Sequence, residues 1–205
     1  MSRFILGLAV IAVLLAPVLA PWPAAPGIVA IEDAMSEMAL GSADAPVTMI
    51  EYSSLGCPHC AAFHRDTLPR IKKEYIDTGK LRVIFRDFPL GTPALAASMI
   101  ARCSGPRKFF CFIEILYRSQ AQWSRSDNPL EALTRVSRFG GMTEADVKAC
   151  LKYQALLESI RKSAETAQKI HQINSTPTFL IAGEMISGVQ PFETFKKAID
   201  KALKK

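Results

Sequence analysis

The chain has no internal repeat and no low-complexity tract beyond a short Pro/Ala-rich stretch near its N-terminus, which excludes solenoids and fibrous arrays. It has no aromatic-basic cluster and no nucleic-acid-binding motif. Its net charge of +6 comes from 25 Lys and Arg against 19 Asp and Glu, interspersed apart from a tail ending Lys204-Lys205. That pattern reads as a solvated surface, and no nucleic-acid partner is expected. Histidine is scarce, with only His59, His64 and His171, and there is a single Cys-x-x-Cys. Structural zinc normally needs a second ligand pair, so no metal site is expected.

Hydrophobic residues make up 49% of the 205 residues and charged residues 21%, enough to bury one ordinary core or a small domain carrying an insertion. The one long apolar run covers residues 4–20 and follows a basic start at Arg3. It has the pattern of a secretory signal or a retained membrane anchor. Val18-Leu19-Ala20 offers small residues for cleavage, whereas Pro21 hinders a cut there. At 17 residues the run sits at the lower limit for a bilayer span. Either reading places the rest of the chain outside the cytoplasm. Residues 21–40 read as a linker and lead-in, opening with the non-helical Pro21-Trp22-Pro23. Five cysteines in an oxidising compartment tend to pair, leaving one over.

The pattern then runs strand, helix, strand. Residues 47–52 form a β-rich run. A helix is expected from about Cys57 to Asp77, bent near Pro69 and stopped by Gly79, and residues 80–88 form a second strand. From Pro93 to Ile173 the apolar spacing is helical: residues 93–103, a single helix over 107–123, a third starting at Asn128-Pro129, and a Thr143–Asp146 capping box opening the rest. A hairpin turning at Gly183-Glu184 and a helix over 192–203 close the chain. These segments predict an α/β fold whose mixed sheet is built from residues 41–92 and 174–205, with 93–173 inserted as a helical domain.

Cys57-Pro58-His59-Cys60 carries the chemistry. It follows a strand and opens a helix, where unpaired N–H groups and the helix dipole favour a thiolate at Cys57. The thiolate is the nucleophile of disulfide exchange. Two intervening residues bring Cys60 within reach for a reversible disulfide. A purely structural bridge across so short a loop would stabilise little. Pro58 fixes the turn, and His59 offers a hydrogen bond or positive charge beside Cys57. Glu51, six residues before Cys57 on the strand, is either a buried acid able to exchange a proton with Cys60 or an edge residue facing solvent. His64, one turn beyond Cys60, reads as an ordinary helix-surface residue.

The segments Asp44-Ala45-Pro46-Val47, Glu51-Tyr52, the CPHC motif, Phe85-Arg86-Asp87-Phe88-Pro89, Asn174-Ser175-Thr176-Pro177-Thr178-Phe179 and Gly188-Val189-Gln190-Pro191-Phe192 together resemble the DsbA-like branch of the thioredoxin superfamily, above all its alphaproteobacterial group. The resemblance covers about residues 40–203. It implies a thioredoxin fold with an inserted α-helical domain and a thiol:disulfide oxidoreductase that oxidises exported proteins. No bound cofactor is implied beyond the redox-active Cys57–Cys60 disulfide. Cys57 matches the attacking cysteine, Cys60 the resolving one, Glu51 the buried acid and Pro177 a cis-proline lying against the disulfide. Thr176 replaces the valine of the best-known oxidases and also occurs in isomerases. The resemblance further implies a Cys103–Cys150 bridge, with Cys111 a buried thiol among phenylalanines; spacing alone allows Cys103–Cys111 as well. It implies reoxidation by a membrane quinone reductase of the DsbB or VKOR type and a periplasmic location. Residues 21–40 are too short for the dimerisation region of related isomerases, so a monomer is expected. The competing readings are an isomerase or reductase of the same fold, and a non-catalytic metal-binding or chaperone module.

Overall fold

The structure, a computed structural model, describes residues 27–204. The apolar run at 4–20 and most of the linker lie outside the described residues. Strands β2 (Val47–Ser53) and β3 (Leu81–Asp87) run parallel at the centre of the sheet. β1 (Met38–Leu40) pairs antiparallel with β3, β4 (Thr178–Ile181) antiparallel with β2, and β5 (Glu184–Ser187) antiparallel with β4. The order is β1-β3-β2-β4-β5. The three-residue β1 lies in the stretch read from sequence as a lead-in, and a short helix, α1 (Ile31–Met35), precedes it.

The β2–β3 crossover is helical throughout but not uniform. α2 (Pro58–Ala62) is followed by a widened turn at Phe63–Thr67, then α3 (Leu68–Ile71) and a second widened turn at Lys72–Ile76. In the first of these, Leu68 N–H bonds back five residues to Phe63 O. Pro69 follows at once and has no N–H to continue an α-helical ladder. The crossover packs on one sheet face with the last helix, α10 (Phe192–Ala202), around Phe63, Phe179 and Phe195. Each fully buried phenylalanine contributes roughly 1.5–3 kcal/mol of hydrophobic stabilisation.

The inserted block comprises α4 (Thr92–Cys103), α5 (Phe109–Arg118), α6 (Gln120–Ser124), α7 (Pro129–Ser137), α8 (Glu144–Cys150) and α9 (Gln154–His171). The single helix expected over 107–123 is two, broken at Ser119. Trp123 Nε1–H donates to Leu116 O at 2.9 Å and so caps the end of α5 from within α6. Asn128 caps α7, and the Thr143–Asp146 capping box opens α8. The hairpin turns one residue earlier than expected, at Ala182 and Gly183, both in the left-handed region (φ 48° and 87°).

Cys103, at the end of α4, and Cys150, at the end of α8, form a disulfide. Cys111 is exposed rather than buried among phenylalanines. The core side of α5 is Phe109, Phe112, Ile113, Leu116 and Tyr117, a helical spacing that leaves position 111 on the outer side. Arg102 of α4 ties the block to the sheet, pairing with Asp87 of β3 at 2.5 Å and donating to Ala34 O and Ser36 O.

Candidate active site

The site sits at the carboxyl end of β2. Val47, Met49, Glu51 and Ser53 share one face of that strand, so its buried face changes from apolar to polar as it nears the following helix. Residues 54–56 then turn the chain. Cys57 N–H bonds Ser54 O, and the Ser54 hydroxyl receives N–H groups from Gly56 and Leu90. Gly56 fits closely: a Cβ there would lie 3.2 Å from Ala94 Cβ.

Cys57 is the N-cap of α2, with Pro58 as the first helical residue. Pro58 lacks an N–H at a position where the helix has no partner for one, which suits it there. The Cys57 thiol lies 3.3 Å from Thr176 O, and Thr176-Pro177 is a cis peptide. Pro177 O accepts Gly188 N–H at 2.8 Å, which ties this loop to the end of β5.

Cys57 and Cys60 are both free thiols, and their environments pull them apart. Cys57 is lowered to about 5. The Cys60 thiol donates to it, and Thr176 and the N–H groups of Cys60 and His59 add to that, against the opposing cost of burial. Cys60 is fully buried, and burial followed by the Cys57 sulfur pushes its pKa far up. One sulfur is therefore a thiolate at neutral pH and the other a thiol. His59 takes part through its backbone N–H; its side chain is exposed and makes no hydrogen bond among the described residues.

Glu51 is completely buried, not at a solvated edge. His64 is not a surface residue either. Its imidazole is 7% exposed, and Nε2 lies 2.9 Å from Glu51 Oε1. The ring lies 4.7 Å, centroid to centroid, from Tyr117 and edge-on to Phe85 and Phe63. The i, i+4 relation to the buried Cys60 is the sequence signal that places His64 on the inner face. Tyr117 of α5 meets Ser53 through its hydroxyl at 3.0 Å. Gln120 of α6, which sequence reasoning did not single out, donates to the carbonyls flanking the turn, Leu55 O and Cys57 O. No cluster suited to a metal ion occurs among the described residues.

A family profile described as Thioredoxin matches residues 33–201. The chain is 33% identical over 169 residues to a Rickettsia bellii protein named "Putative protein-disulfide oxidoreductase", covering 82% of this chain and 65% of that one. It thus spans just under two thirds of that relative's length. It is 27% identical over 171 residues to disulfide bond formation protein D of Bacillus subtilis, covering 80% of this chain and 76% of that one. Among solved structures, alpha-DsbA1 of Wolbachia pipientis superposes with a TM-score of 0.77 at 29% identity, covering 91% of this chain and 94% of that one.

Proposed function

Because the chain belongs to the thioredoxin family over residues 33–201, we propose that it is a thiol:disulfide oxidoreductase acting outside the cytoplasm, passing its Cys57–Cys60 disulfide to reduced substrate proteins. The observation that carries the direction is the lowered pKa of Cys57. A thiolate stabilised in the reduced protein favours reduction of the pair, so the disulfide form is the stronger oxidant.

A substrate thiolate attacks Cys57 Sγ, the better placed of the two sulfurs beside the Thr176-Pro177 loop. The disulfide opens with Cys60 as leaving group, and Glu51 serves proton transfer at Cys60. The substrate's second thiolate then attacks its own sulfur in the mixed disulfide and releases Cys57 as a thiolate. Pro58 and Pro177 hold the backbone on either side of the sulfurs, and Thr176 offers its backbone to a substrate strand. Leu90 and Val189 are exposed, one beside each of the two loops, and suit apolar segments of incompletely folded exported proteins. The reduced pair is returned to the disulfide by a membrane quinone reductase of the DsbB or VKOR type. Residues 4–20 either direct export or tether the protein to the inner membrane.

A second reading as an isomerase follows from Thr176, because threonine also stands at this place in related isomerases. Equilibration with glutathione separates the readings. A reduction potential near about −120 mV is expected for an oxidase. A value near roughly −180 mV would favour the isomerase, and one near roughly −270 mV would reverse the direction to a reductase. Replacement of Cys57 by Ser should abolish turnover in every case.

A further inference from the structure

The reading above leaves one buried ionisable group without a task. His64 is held against Glu51, out of water, beneath the reacting sulfurs. The arrangement follows from two matching repeats. Glu51 and Ser53 are i, i+2 on β2, a step of about 6.6 Å on one strand face. Cys60 and His64 are i, i+4 along the facing helix, a step of about 6 Å. The two pairs therefore stack, Ser53 beside Cys60 and Glu51 beside His64. Tyr117 spans both levels, its hydroxyl on Ser53 and its ring against the imidazole.

His64 engages only one carboxylate oxygen. Glu51 Oε1 bonds Nε2, while Oε2 is buried and has no hydrogen-bond partner among the described residues. A buried carboxylate with a bare oxygen is costly unless a proton or a cation compensates it. The ionisable groups facing this spot are Cys60 on the same helix, Tyr117 on α5, and Asp87 on β3, which Arg102 of α4 already compensates. None of these is hydrogen-bonded to Glu51. His64 is, through Nε2.

We propose that His64 and Glu51 form one proton-holding pair that supplies the proton taken up by Cys60 when its disulfide with Cys57 opens, with His64 a positioning residue that acts through Glu51. This rests on the oxidoreductase reading of the site. In the opening step the incoming thiolate forms a bond to Cys57 Sγ, the Cys57–Cys60 bond breaks, and its electron pair leaves on Cys60 Sγ. A proton passes from the Glu51 carboxyl to Cys60, and the pair is left one proton short. When the mixed disulfide is resolved, the substrate has lost two electrons and the cysteine pair has gained two. The Glu51–His64 pair recovers its proton from water.

Glutamine at position 64 can keep a donor near Glu51 Oε1 but cannot carry a titrating proton. The test is the rate at which glutathione reduces the oxidised protein, measured across pH for the wild type, His64→Gln, Glu51→Gln and the double variant. His64→Gln is expected to be slower by up to about a hundredfold, the lower end of a positioned general acid's contribution. The wild-type advantage should disappear as pH rises through the titration of the pair. The double variant should be no slower than Glu51→Gln, because the two act as a unit. A wild-type to His64→Gln ratio that stays constant with pH, or a double variant showing the product of both losses, overturns the proposal. A second readout needs no variant: in the full chain labelled with nitrogen-15, the His64 imidazole should titrate at different pH in the oxidised and reduced proteins. Identical titrations overturn the coupling. A protein that never exchanges with glutathione, with or without His64, instead sinks the reading of the site, and the imidazole titration still decides whether the pair is coupled to the cysteines.

Discussion

Gln120 donates through Nε2 to Leu55 O at 2.6 Å and to Cys57 O at 3.0 Å. One buried amide from the helical block thus holds the backbone that aims the attacking sulfur, which couples packing of the insertion to the geometry of the site. Replacing Gln120 with Leu keeps most of the volume and removes both bonds. Cys57 O retains Ala61 N–H at 3.2 Å, whereas the Leu55 carbonyl loses this donor. The expected loss is about 1–3 kcal/mol in urea unfolding, with slower disulfide exchange. An unchanged unfolding midpoint would mean that the turn is held by its own serine and backbone bonds.

The Cys60 thiol is the largest influence lowering Cys57. Replacing Cys60 with Ala removes that donor and leaves Thr176 and the two backbone N–H groups. Ultraviolet absorbance of the thiolate should show a midpoint near 5 in the reduced wild type and a clearly higher one in Cys60→Ala. Coincident curves would shift the credit to the helix N-terminus and to Thr176.

The same thiolate links stability to pH. Cys57 titrates at about 5 in the folded protein against an ordinary value near 9. Its folded pKa is the depressed one, so the stabilisation is complete above about 9, declines below that and is gone below about 5. At pH 7, between those two values, part of that stabilisation is realised. Cys60, displaced upward, stays protonated in both states at pH 7 and contributes nothing there. Urea unfolding of the reduced protein should therefore give a stability that rises from pH 5 to 8. Cys57→Ser should flatten that rise, and a Cys57→Ser slope equal to the wild type's would contradict the thiolate's role.

The parts of the fold that were legible in the sequence are those fixed by local chemistry. The runs at Val47–Ser53 and Leu81–Asp87 are rich in strand-forming residues, and the Asn128 and Thr143 caps lie within three residues of the groups they bind. The Cys-Pro-His-Cys segment placed its own sulfurs. What escaped depends on partners distant in sequence. β1 is three residues long and exists because β3 presents an edge to it. Ser119 breaks a helical run because Trp123 and Gln120 find better partners inside the core. The burial of His64 needed its helical spacing from Cys60 to be given more weight than its polarity. Cys111 was misplaced because its neighbours Phe109, Phe110 and Phe112 were read as a cluster instead of as positions on a wheel.

Cys103 and Cys150 bridge α4 to α8 across 47 residues, inside the core of the helical block and away from the Cys57–Cys60 pair in the chain. Closing a loop of that size removes about 4 kcal/mol of conformational freedom from the unfolded chain. Alanine at both positions should therefore lower stability by roughly 2–4 kcal/mol, read as the unfolding free energy of the oxidised protein. The bridge has two separable roles. As a brace alone, its loss leaves the Cys57 thiolate midpoint near 5. As a tuner of the site, its loss moves that midpoint, because α4 also carries Ala94 against Gly56 and Arg102 against Asp87. Those contacts lie at the opposite end of α4 from Cys103 for Ala94 and one residue away for Arg102. Slackening at the bridged end should reach the Arg102–Asp87 pair first and the cysteine turn only through the length of α4. A stability loss with an unmoved thiolate midpoint is the expected result, and a midpoint displaced by a full pH unit would assign the bridge to the chemistry as well as to the frame.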